Sequence, residues 1–306
     1  MSTPYAEQNQ TRRLTTPEAD ALLGQKIPCL DKGFVYLVDY MGGDASIVQA
    51  ARVSYGIGTK TVHEDRGLIR YLMRHQHTTP FEMVELKFHV KMPIFVARQM
   101  IRHRTANVNE YSGRYSVMPD EFYVPSPEDV SVQSQTNRQG GGEQVDAERA
   151  REVIEIIERE QREARDGYEQ MLEWDIRREL ARVNLSVAQY TEWYWKNDLH
   201  NIFRFLQLRL DDHAQYEIRV FAEAMAKIVK AVAPIAWEAF EDYQLRSARF
   251  SALELEALRT LLDSPGDDDV MAALPEVWRQ RKDDGSLKRN RERDEFLDKV
   301  ARLRDS

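Results

Sequence analysis

Residues 99–114, QMIRHRTANVNEYSGR, hold the densest group of side chains in the chain that could carry out chemistry. Two arginines flank a histidine at 102–104, and a Ser-Gly-Arg turn follows at 112–114. Guanidinium forks match phosphate oxygens, and backbone amides at a glycine turn add further donors. The pattern therefore predicts a phosphate site near Ser112, with Glu110 as an acceptor for a ribose hydroxyl.

The same cations would also suit the solvated carbonyl end of a helix. Pro93 and the residues after it predict a helix over IFVARQMIRHR (94–104), whose last turn carries the three side chains at 102–104. TANVNEYSGRYS (105–116) is predicted to be a polar loop. Because the helix end runs directly into this loop, we favour a binding site over a merely solvated terminus.

The elements before this segment are predicted from their hydrophobic patterns. VELKFHVKM (84–92) alternates apolar and polar residues, which is typical of an antiparallel strand with one wet face. GFVYLVDYM (33–41) is predicted to be a buried strand. Residues 44–54 are predicted to form a helix capped by Asp44, and residues 64–77 a second helix.

From about Asp146 onward the sequence is predicted to be helical, with later helices near 187–210 and 214–233. Residues 140–142 are Gly-rich and are predicted to be a linker. The expected fold class is α+β, an antiparallel sheet with packed helices and a largely helical C-terminal half. The expected domains are an N-terminal arm (1–30), the main domain (31–250) and a helical C-terminal extension (251–306).

The composition is that of an ordinary globular protein, with 42% hydrophobic and 31% charged residues. A net charge of -8 and a pI of about 5.5 argue against a general nucleic-acid surface, which needs excess Lys and Arg. The N-terminus lacks an apolar signal segment and no run is long enough to cross a bilayer. We therefore expect a cytoplasmic protein without nucleic-acid or membrane partners.

Several sequence blocks resemble, in order, those of the flavin-dependent thymidylate synthase family. The signature is Arg102-His103-Arg104 followed after seven residues by Ser112. The resemblance spans residues 33 to about 245, and it departs from the family at Leu185-Ser186, where a Leu-Pro pair is usual. The other blocks are AARVS (50–54), HTTPFE (77–82), PIFVARQ (93–99), NEYSGRYS (109–116), ELAR (179–182) and NDLHNIFRFLQLRLDDHAQYEI (197–218).

The resemblance assigns two sets of binding residues and one catalytic residue. Arg209 is implied to be catalytic, and His77 is implied to lie near the flavin where folate or nicotinamide stacks. The implied flavin contacts are Ser54, His77, Thr79, Glu82, Arg102, His103, Arg104, Asn109, Glu110, Asp198, His200 and Arg204. The implied contacts to deoxyuridine monophosphate (dUMP) are Gln99, Arg102, Glu110, Tyr111, Ser112, Gly113, Arg114, Arg182 and Arg209.

The implied reaction is the reductive methylation of dUMP to thymidine monophosphate (dTMP). The resemblance implies FAD as cofactor, with NADPH and methylenetetrahydrofolate as co-substrates, and a homotetramer with active sites between subunits. Cys29 is the one cysteine and lies outside every block, so we expect chemistry without an enzyme thiolate.

Two other interpretations of the residues stay open. His75, His77, Asp211, Asp212 and His213 are of the types that bind divalent metals, so the alternative function is a metal-dependent nucleotide phosphohydrolase. No HExxH motif accompanies them, and we expect no metal. The aromatic cluster at 190–195 is predicted to be core or subunit interface rather than a base-stacking platform.

Overall fold

The computed structural model describes residues 14–53, 62–134, 141–262, 272–290, 293–294 and 296–300. The chain divides into two compact units, one up to Leu245 and one from Arg246 onward. In the described part, no helix is both long enough and apolar enough to cross a membrane.

Five antiparallel strands form the sheet of the first unit, in the order β1-β2-β3-β7-β4. A separate two-stranded hairpin joins β5 and β6. The strands are β1 (Ile27–Cys29), β2 (Gly33–Met41), β3 (Glu85–Pro93), β4 (Asn107–Glu110), β5 (Ser131–Gln133), β6 (Gly141–Gln144) and β7 (Tyr190–Asp198).

Helices α4 (Ile94–Met100), α7 (Leu199–Arg209) and α8 (Tyr216–Val232) pack on the sheet, and α8 contacts β1 and β2. A short 3-10 helix, Thr79–Met83, packs against α2 and α7. The α-helices are α1 (Pro17–Asp20), α2 (Asp44–Val53), α3 (Val62–Arg74), α4 (Ile94–Met100), α5 (Ala147–Glu173), α6 (Arg178–Ala181), α7 (Leu199–Arg209), α8 (Tyr216–Val232) and α9 (Pro234–Phe240).

The alternation of β2 and β3 decides which side chains enter the core. Leu37, Phe88 and Val90 are fully buried on the helix-covered face. On the other face, His89 lies between the Tyr36 hydroxyl and the Glu192 carboxylate, at 2.7 Å from each. The predicted strands at 33–41 and 84–92 and the antiparallel α+β sheet are thereby confirmed.

The predicted helix over 187–210 is wrong in its first half, because Tyr190–Asp198 is strand β7 and the helix begins at Leu199. YTEWYWKND is rich in aromatic residues and alternates with period two, which suits a strand with one buried face. Trp193 and Trp195 are buried while Tyr194 is 41% exposed. The prediction of a core role for the aromatic cluster is therefore confirmed for its inward-facing members.

Three further boundaries differ from the sequence predictions. Helix α4 ends at Met100, so residues 102–104 lie in the turns after it and not in its last turn. The predicted polar loop contains β4, which pairs with β7 through main-chain bonds that no side-chain pattern reveals. Gly141 and Gly142, predicted to be linker, belong to β6.

The second unit has its own small core. Its first helix, α10, spans Ala252–Leu262, and a 3-10 helix spans Glu276–Trp278. Ala257, Trp278 and Phe296 pack together in a core that is at most 1% exposed at these positions.

The sequence predicted that Asp44 caps its own helix, and this prediction is wrong. The two carboxylate oxygens of Asp44 accept hydrogen bonds from the backbone N–H groups of Ile235 and Ala236, both at 2.9 Å. These N–H groups lie in the first turn of α9 and have no partner within that helix. Asp44 therefore ties α2 to the start of a helix about 190 residues later in the chain.

We expect Asp44→Ala to lower the free energy of unfolding by about 1–2 kcal/mol, because two N–H groups lose their acceptor. Urea denaturation of the full chain measures this effect. Glu163→Ala, at an exposed position of α5, is the matched control and should change stability by less than about 0.5 kcal/mol. Equal midpoints for the two variants would contradict the capping role.

Candidate active site

The end of α4 carries His103 back onto the sheet. Val96, Ala97 and Met100 are buried, which anchors the helix on the core. The His103 ring then lies 6.0 Å from Trp195 and 5.8 Å from Phe205, measured between ring centroids. Strand β7 and helix α7 thus fix this histidine from two sides.

His103 also has polar neighbours. Its Nε2 atom lies 3.1 Å from the Asn197 side-chain amide nitrogen and 2.9 Å from the Thr105 hydroxyl. Burial lowers the pKa of His103, and the nearby Arg204 cation lowers it further, while Asp198 acts in the opposite direction. The imidazole is therefore held in its neutral form at physiological pH.

The N-terminus of α7 adds a second titratable group. Asp198 caps this helix and accepts a 2.9 Å hydrogen bond from the Asn201 backbone N–H. Burial lowers the pKa of His200, while Asp198 and then Glu82 act in the opposite direction. Glu82, Asp198, His200 and Arg204 therefore lie in one electrostatic neighbourhood with His103.

Arg209 ends α7 and is half-buried. Its Nη2 atom donates a 3.4 Å hydrogen bond to the Gln99 carbonyl, and the Gln99 side chain contacts Gln215. Burial lowers the pKa of Arg209, although a guanidinium keeps its charge over the whole physiological range. This places the predicted catalytic cation beside the helix that leads to His103.

A second group of predicted residues surrounds the turn after β4. The Thr191 hydroxyl donates a 2.9 Å hydrogen bond to Glu110, and the Tyr111 N–H donates to the Glu192 carbonyl at 2.9 Å. The Ser112 carbonyl then accepts from the N–H groups of residues 115 and 116, which closes a tight turn. Arg114 pairs with Glu179 at 3.4 Å.

Gly113 is required where it stands, because a Cβ atom there would lie 2.6 Å from Met118 Sδ and 3.2 Å from the Arg182 side chain. Arg182 thus lies directly against this glycine. Within the described residues, the N–H groups of Ser112 and Gly113 donate no hydrogen bond. Two free amides beside a guanidinium form a site suited to an anion.

Most arginines of the predicted site form no ion pair, although the protein is acidic. Only one of six, Arg114, forms an ion pair with a residue that the structure describes, while acidic residues outnumber Lys and Arg by 51 to 43 in the sequence. Cations without an ion-pair partner are available for an anionic ligand. The arginines that form no ion pair with any residue the structure describes are Arg102, Arg104, Arg182, Arg204 and Arg209.

One chain holds these residues in two separate groups, since Glu110 bonds Thr191 and His103 bonds Asn197, six residues further along β7. Six residues of extended strand span about 20 Å. The attachment of Glu110 and the attachment of His103 therefore lie far apart on β7 within a single chain. Asn109 lies between the groups, opposite Tyr194 in the register.

The remaining predicted contacts lie at the end of α3 and after it. His77 is exposed and packs edge-on against Tyr71 at 5.7 Å, and Thr79 is the exposed first residue of the 3-10 helix. Ser54 lies outside the described residues. Cys29 is 1% exposed in β1, and burial raises the pKa of its thiol to about 12.

The residues of the metal interpretation do not gather into one site. His213 Nδ1 lies 2.8 Å from an Asp211 oxygen, whereas His75 packs on Tyr71. Among the residues that the structure describes, no group of three or more His, Cys, Asp or Glu is arranged to hold a metal ion.

Sequence reasoning missed the polar partners that strand β7 supplies. Thr191 and Asn197 are 3% exposed and hold Glu110 and His103 respectively. Both occupy inward-facing positions of YTEWYWKND, so a strand assignment would have marked them as buried polar residues in need of partners. The helix prediction removed that signal.

Comparison with known proteins decides the family. Residues 36–235 match the family model described as thymidylate synthase complementing protein. A Ruegeria pomeroyi protein named flavin-dependent thymidylate synthase is 53% identical over 278 residues, covering 89% of this chain and 92% of that protein. The chain belongs to the flavin-dependent thymidylate synthase family.

Other members and a solved structure agree with this assignment. A Wolbachia pipientis flavin-dependent thymidylate synthase is 55% identical over 252 residues, covering 82% of this chain and 89% of that protein. The crystal structure of a UMP/dUMP methylase from Streptomyces cacaoi, bound with 5-Br dUMP, aligns with a TM-score of 0.66 and 32% identity. The alignment covers 72% of this chain and all of the methylase chain.

The family match contains every residue assigned to the site, from Ser54 to Arg209. The second unit, from Arg246 onward, lies outside the matched range. All the predicted site residues of this flavin-dependent thymidylate synthase family member therefore belong to its first unit.

The lowered pKa of His200 predicts a pH-dependent stability for this family member. An unfolded histidine takes up a proton below its ordinary pKa of about 6.5, whereas folded His200 stays neutral to lower pH. The unfolded state then binds more protons, so stability should fall as pH drops from 7.5 to 5.5. His200→Gln should remove part of this loss, measured as urea midpoints at both pH values.

His213→Gln is the matched control, because His213 is exposed. It should leave the difference between the two pH values close to that of the parent. Identical pH dependence in the His200 variant and the parent would show that His200 is not held neutral by the fold.

Proposed function

We propose that the chain catalyses the reductive methylation of dUMP to dTMP. Methylenetetrahydrofolate donates the carbon and becomes tetrahydrofolate, while NADPH and one proton supply the reducing equivalents and NADP⁺ is released. The observation that carries this proposal is the set of arginines that form no ion pair with any described residue, together with the amides of Ser112 and Gly113, which donate no hydrogen bond within the described part of the chain. An acidic protein with such sites is suited to phosphate-bearing ligands.

The residues around His103 fit FAD by their chemistry. Arg102, Arg104 and Arg204 would meet a diphosphate, because their guanidinium groups form no ion pair with a described residue. The Asp198 oxygens each accept one bond from Asn201 and retain a lone pair for a ligand hydroxyl. FAD, when bound, supplies the hydride chemistry that links NADPH to the methylated product.

The turn at 112–114 and Arg182 are suited to the nucleotide. The free N–H groups of Ser112 and Gly113 would donate to the phosphate, and Arg182 would neutralise it. Glu110 is oriented by Thr191 and keeps accepting capacity for a ribose hydroxyl. Tyr111, Arg114 and Gln99 complete the proposed nucleotide contacts.

Arg209 is the proposed catalytic residue. A guanidinium beside the uracil ring favours negative charge on that ring and so activates it for carbon–carbon bond formation. Its contact with the Gln99 carbonyl fixes its position. Cys29 is unsuited to the alternative thiolate route, since its buried thiol has a pKa of about 12.

The distance between the two groups supports a further part of the proposal, a homotetramer with active sites between subunits. Glu110 and His103 are held at Thr191 and Asn197, about 20 Å apart along β7, and this separation is too large for one uracil ring to contact both. All four residues of β4 are exposed, so this edge strand is available to another copy. One copy would supply the turn at 112–114 and another would supply Arg209.

Activity and flavin binding test the proposed role of Arg209 together. The purified protein should bind FAD and form dTMP from dUMP, methylenetetrahydrofolate and NADPH. Arg209→Ala should reduce the rate of dTMP formation by about 10²–10³-fold, because it removes one charge-stabilising group. FAD binding, measured from the visible spectrum, should be largely retained.

Arg219→Ala is the matched control, since Arg219 lies one element later and faces Asp212 and Glu223. It should leave the rate within a few-fold of the parent. Equal rates for Arg209→Ala and the parent would refute the assigned role. Failure to bind FAD, with activity dependent on a divalent metal, would support the phosphohydrolase instead.

Mixing two inactive variants tests whether the site lies between subunits. Arg182→Ala and Arg209→Ala should each be inactive alone. When the two chains are co-expressed and assemble at random, about a quarter of the sites combine both intact arginines if these come from different copies. Recovery of dTMP formation to about that fraction is expected, with the double variant as the inactive control. No recovery in verified mixed oligomers would place both arginines in one chain's site.

A further inference from the structure

Asn197 is a polar side chain on the core face of the sheet, and the structure gives it two partners. It is 3% exposed and continues the inward-facing series after Trp193 and Trp195. A buried amide must satisfy its donors and its acceptor or destabilise the fold. Its two ends contact the Asp198 backbone and the His103 ring.

The hydrogen bond with the Asp198 backbone distinguishes the oxygen of the Asn197 amide from its nitrogen. The Asp198 N–H can only donate, so the atom 3.0 Å from it must be the Asn197 carbonyl oxygen Oδ1. The other end, the NH₂ group, therefore faces His103. The orientation of this side chain follows from the hydrogen bonds and not from an arbitrary choice between oxygen and nitrogen.

The amide in turn fixes the proton on His103. An NH₂ group only donates, so Nε2, at 3.1 Å, must be the unprotonated acceptor nitrogen. The Thr105 hydroxyl, at 2.9 Å from the same atom, can also donate to it. The proton of the neutral ring is then on Nδ1, for which the described residues provide no hydrogen-bond partner.

We infer that Asn197 is a positioning residue that holds His103 neutral, with Nδ1–H presented as a hydrogen-bond donor to the bound flavin. The inference rests on the proposed function for its ligand, whereas the position of the proton rests on the fold alone. A tautomer fixed in advance removes the cost of choosing it on binding. A neutral His103 ring also adds no positive charge beside the arginines.

The charged groups facing His103 agree with a neutral ring. Arg204 and Arg209 on α7 disfavour a protonated ring, and burial acts in the same direction. Asp198, at the end of β7, is the opposing charge, but its carboxylate is engaged by Asn201. The Asn197 amide adds a geometric block, because a protonated Nε2 would place two donors face to face.

Asn197→Asp replaces the NH₂ donor that faces His103 with a carboxylate acceptor and leaves the size of the side chain almost unchanged. One carboxylate oxygen can still accept from the Asp198 N–H, while the other now requires a proton on His103 Nε2. At low pH the ring is an imidazolium and keeps Nδ1–H. At high pH its single proton is on Nε2, so Nδ1 no longer donates.

The proton position can be measured without any ligand. In full-length apoprotein labelled with ¹⁵N-histidine, solid-state NMR should show protonated Nδ1 and unprotonated Nε2 for His103 of the parent between pH 6 and 8. His103→Gln assigns the signals. Asn197→Asp should move the proton to Nε2, and Asn197→Val should give a mixture of tautomers. A parent ring protonated on Nε2, or variants with the parent's spectrum, would overturn the inference.

Flavin affinity supplies the second measurement. FAD titrations of the parent should give a dissociation constant that is nearly constant from pH 6 to 9. For Asn197→Asp, the constant should rise by about tenfold over this range as the Nδ1–H donor is lost. Gln170→Glu, which adds the same charge at an exposed position of α5, should behave like the parent.

The double variant His103→Gln with Asn197→Asp separates positioning from packing. It should show no pH dependence beyond that of His103→Gln alone, because the effect acts through the histidine. An Asn197→Asp defect of equal size at every pH would overturn the positioning role. If the parent bound no FAD, the proposed function would fail, while the NMR result would still decide the tautomer.

Discussion

Strand β7 is the constraint on which the candidate site depends. It lies between β3 and β4, and its inward residues bind both ends of the predicted constellation, Glu110 through Thr191 and His103 through Asn197. Because strand pairing fixes the register residue by residue, these two attachments have a set separation. Two buried tryptophans lie between these attachments, and α7 begins directly where the strand ends.

Charge distribution is the second organising feature. The protein carries a net charge of -8, yet most arginines of the candidate site have no carboxylate partner among the residues that the structure describes. Some arginines elsewhere are paired, as in the network that joins Arg70 to Glu238 and Asp242 between α3 and the segment after α8. Arginines without a carboxylate partner keep their charge available for an anionic ligand.

Histidines of the candidate site are kept neutral by the same architecture. His103 and His200 are both half-buried near Arg204, and the fold depresses the pKa of each ring. Neutral rings can donate and accept hydrogen bonds without adding to the positive charge that holds an anion. In the proposed site, the arginines would carry the charge, and the histidines and Asn197 would provide the directional hydrogen bonds.

The sequence by itself determined the fold class and the family, and it predicted the residues of the candidate site. The alternation of 84–92 and the apolar run of 33–41 predicted β3 and β2, because burial of one strand face leaves a period-two pattern. The order of the short motifs indicated the family, because the residue types and their spacing can be compared directly along the chain.

Only the tertiary structure decided how those residues are arranged. The strand character of 190–198 was hidden because aromatic residues are compatible with either element until their neighbours are known. The pairing of β4, the capping of α9 by Asp44 and the orientation of the Asn197 amide depend on partners far away in sequence. The separation of Glu110 from His103 likewise follows from the length of β7 between Thr191 and Asn197, a distance that no local pattern encodes.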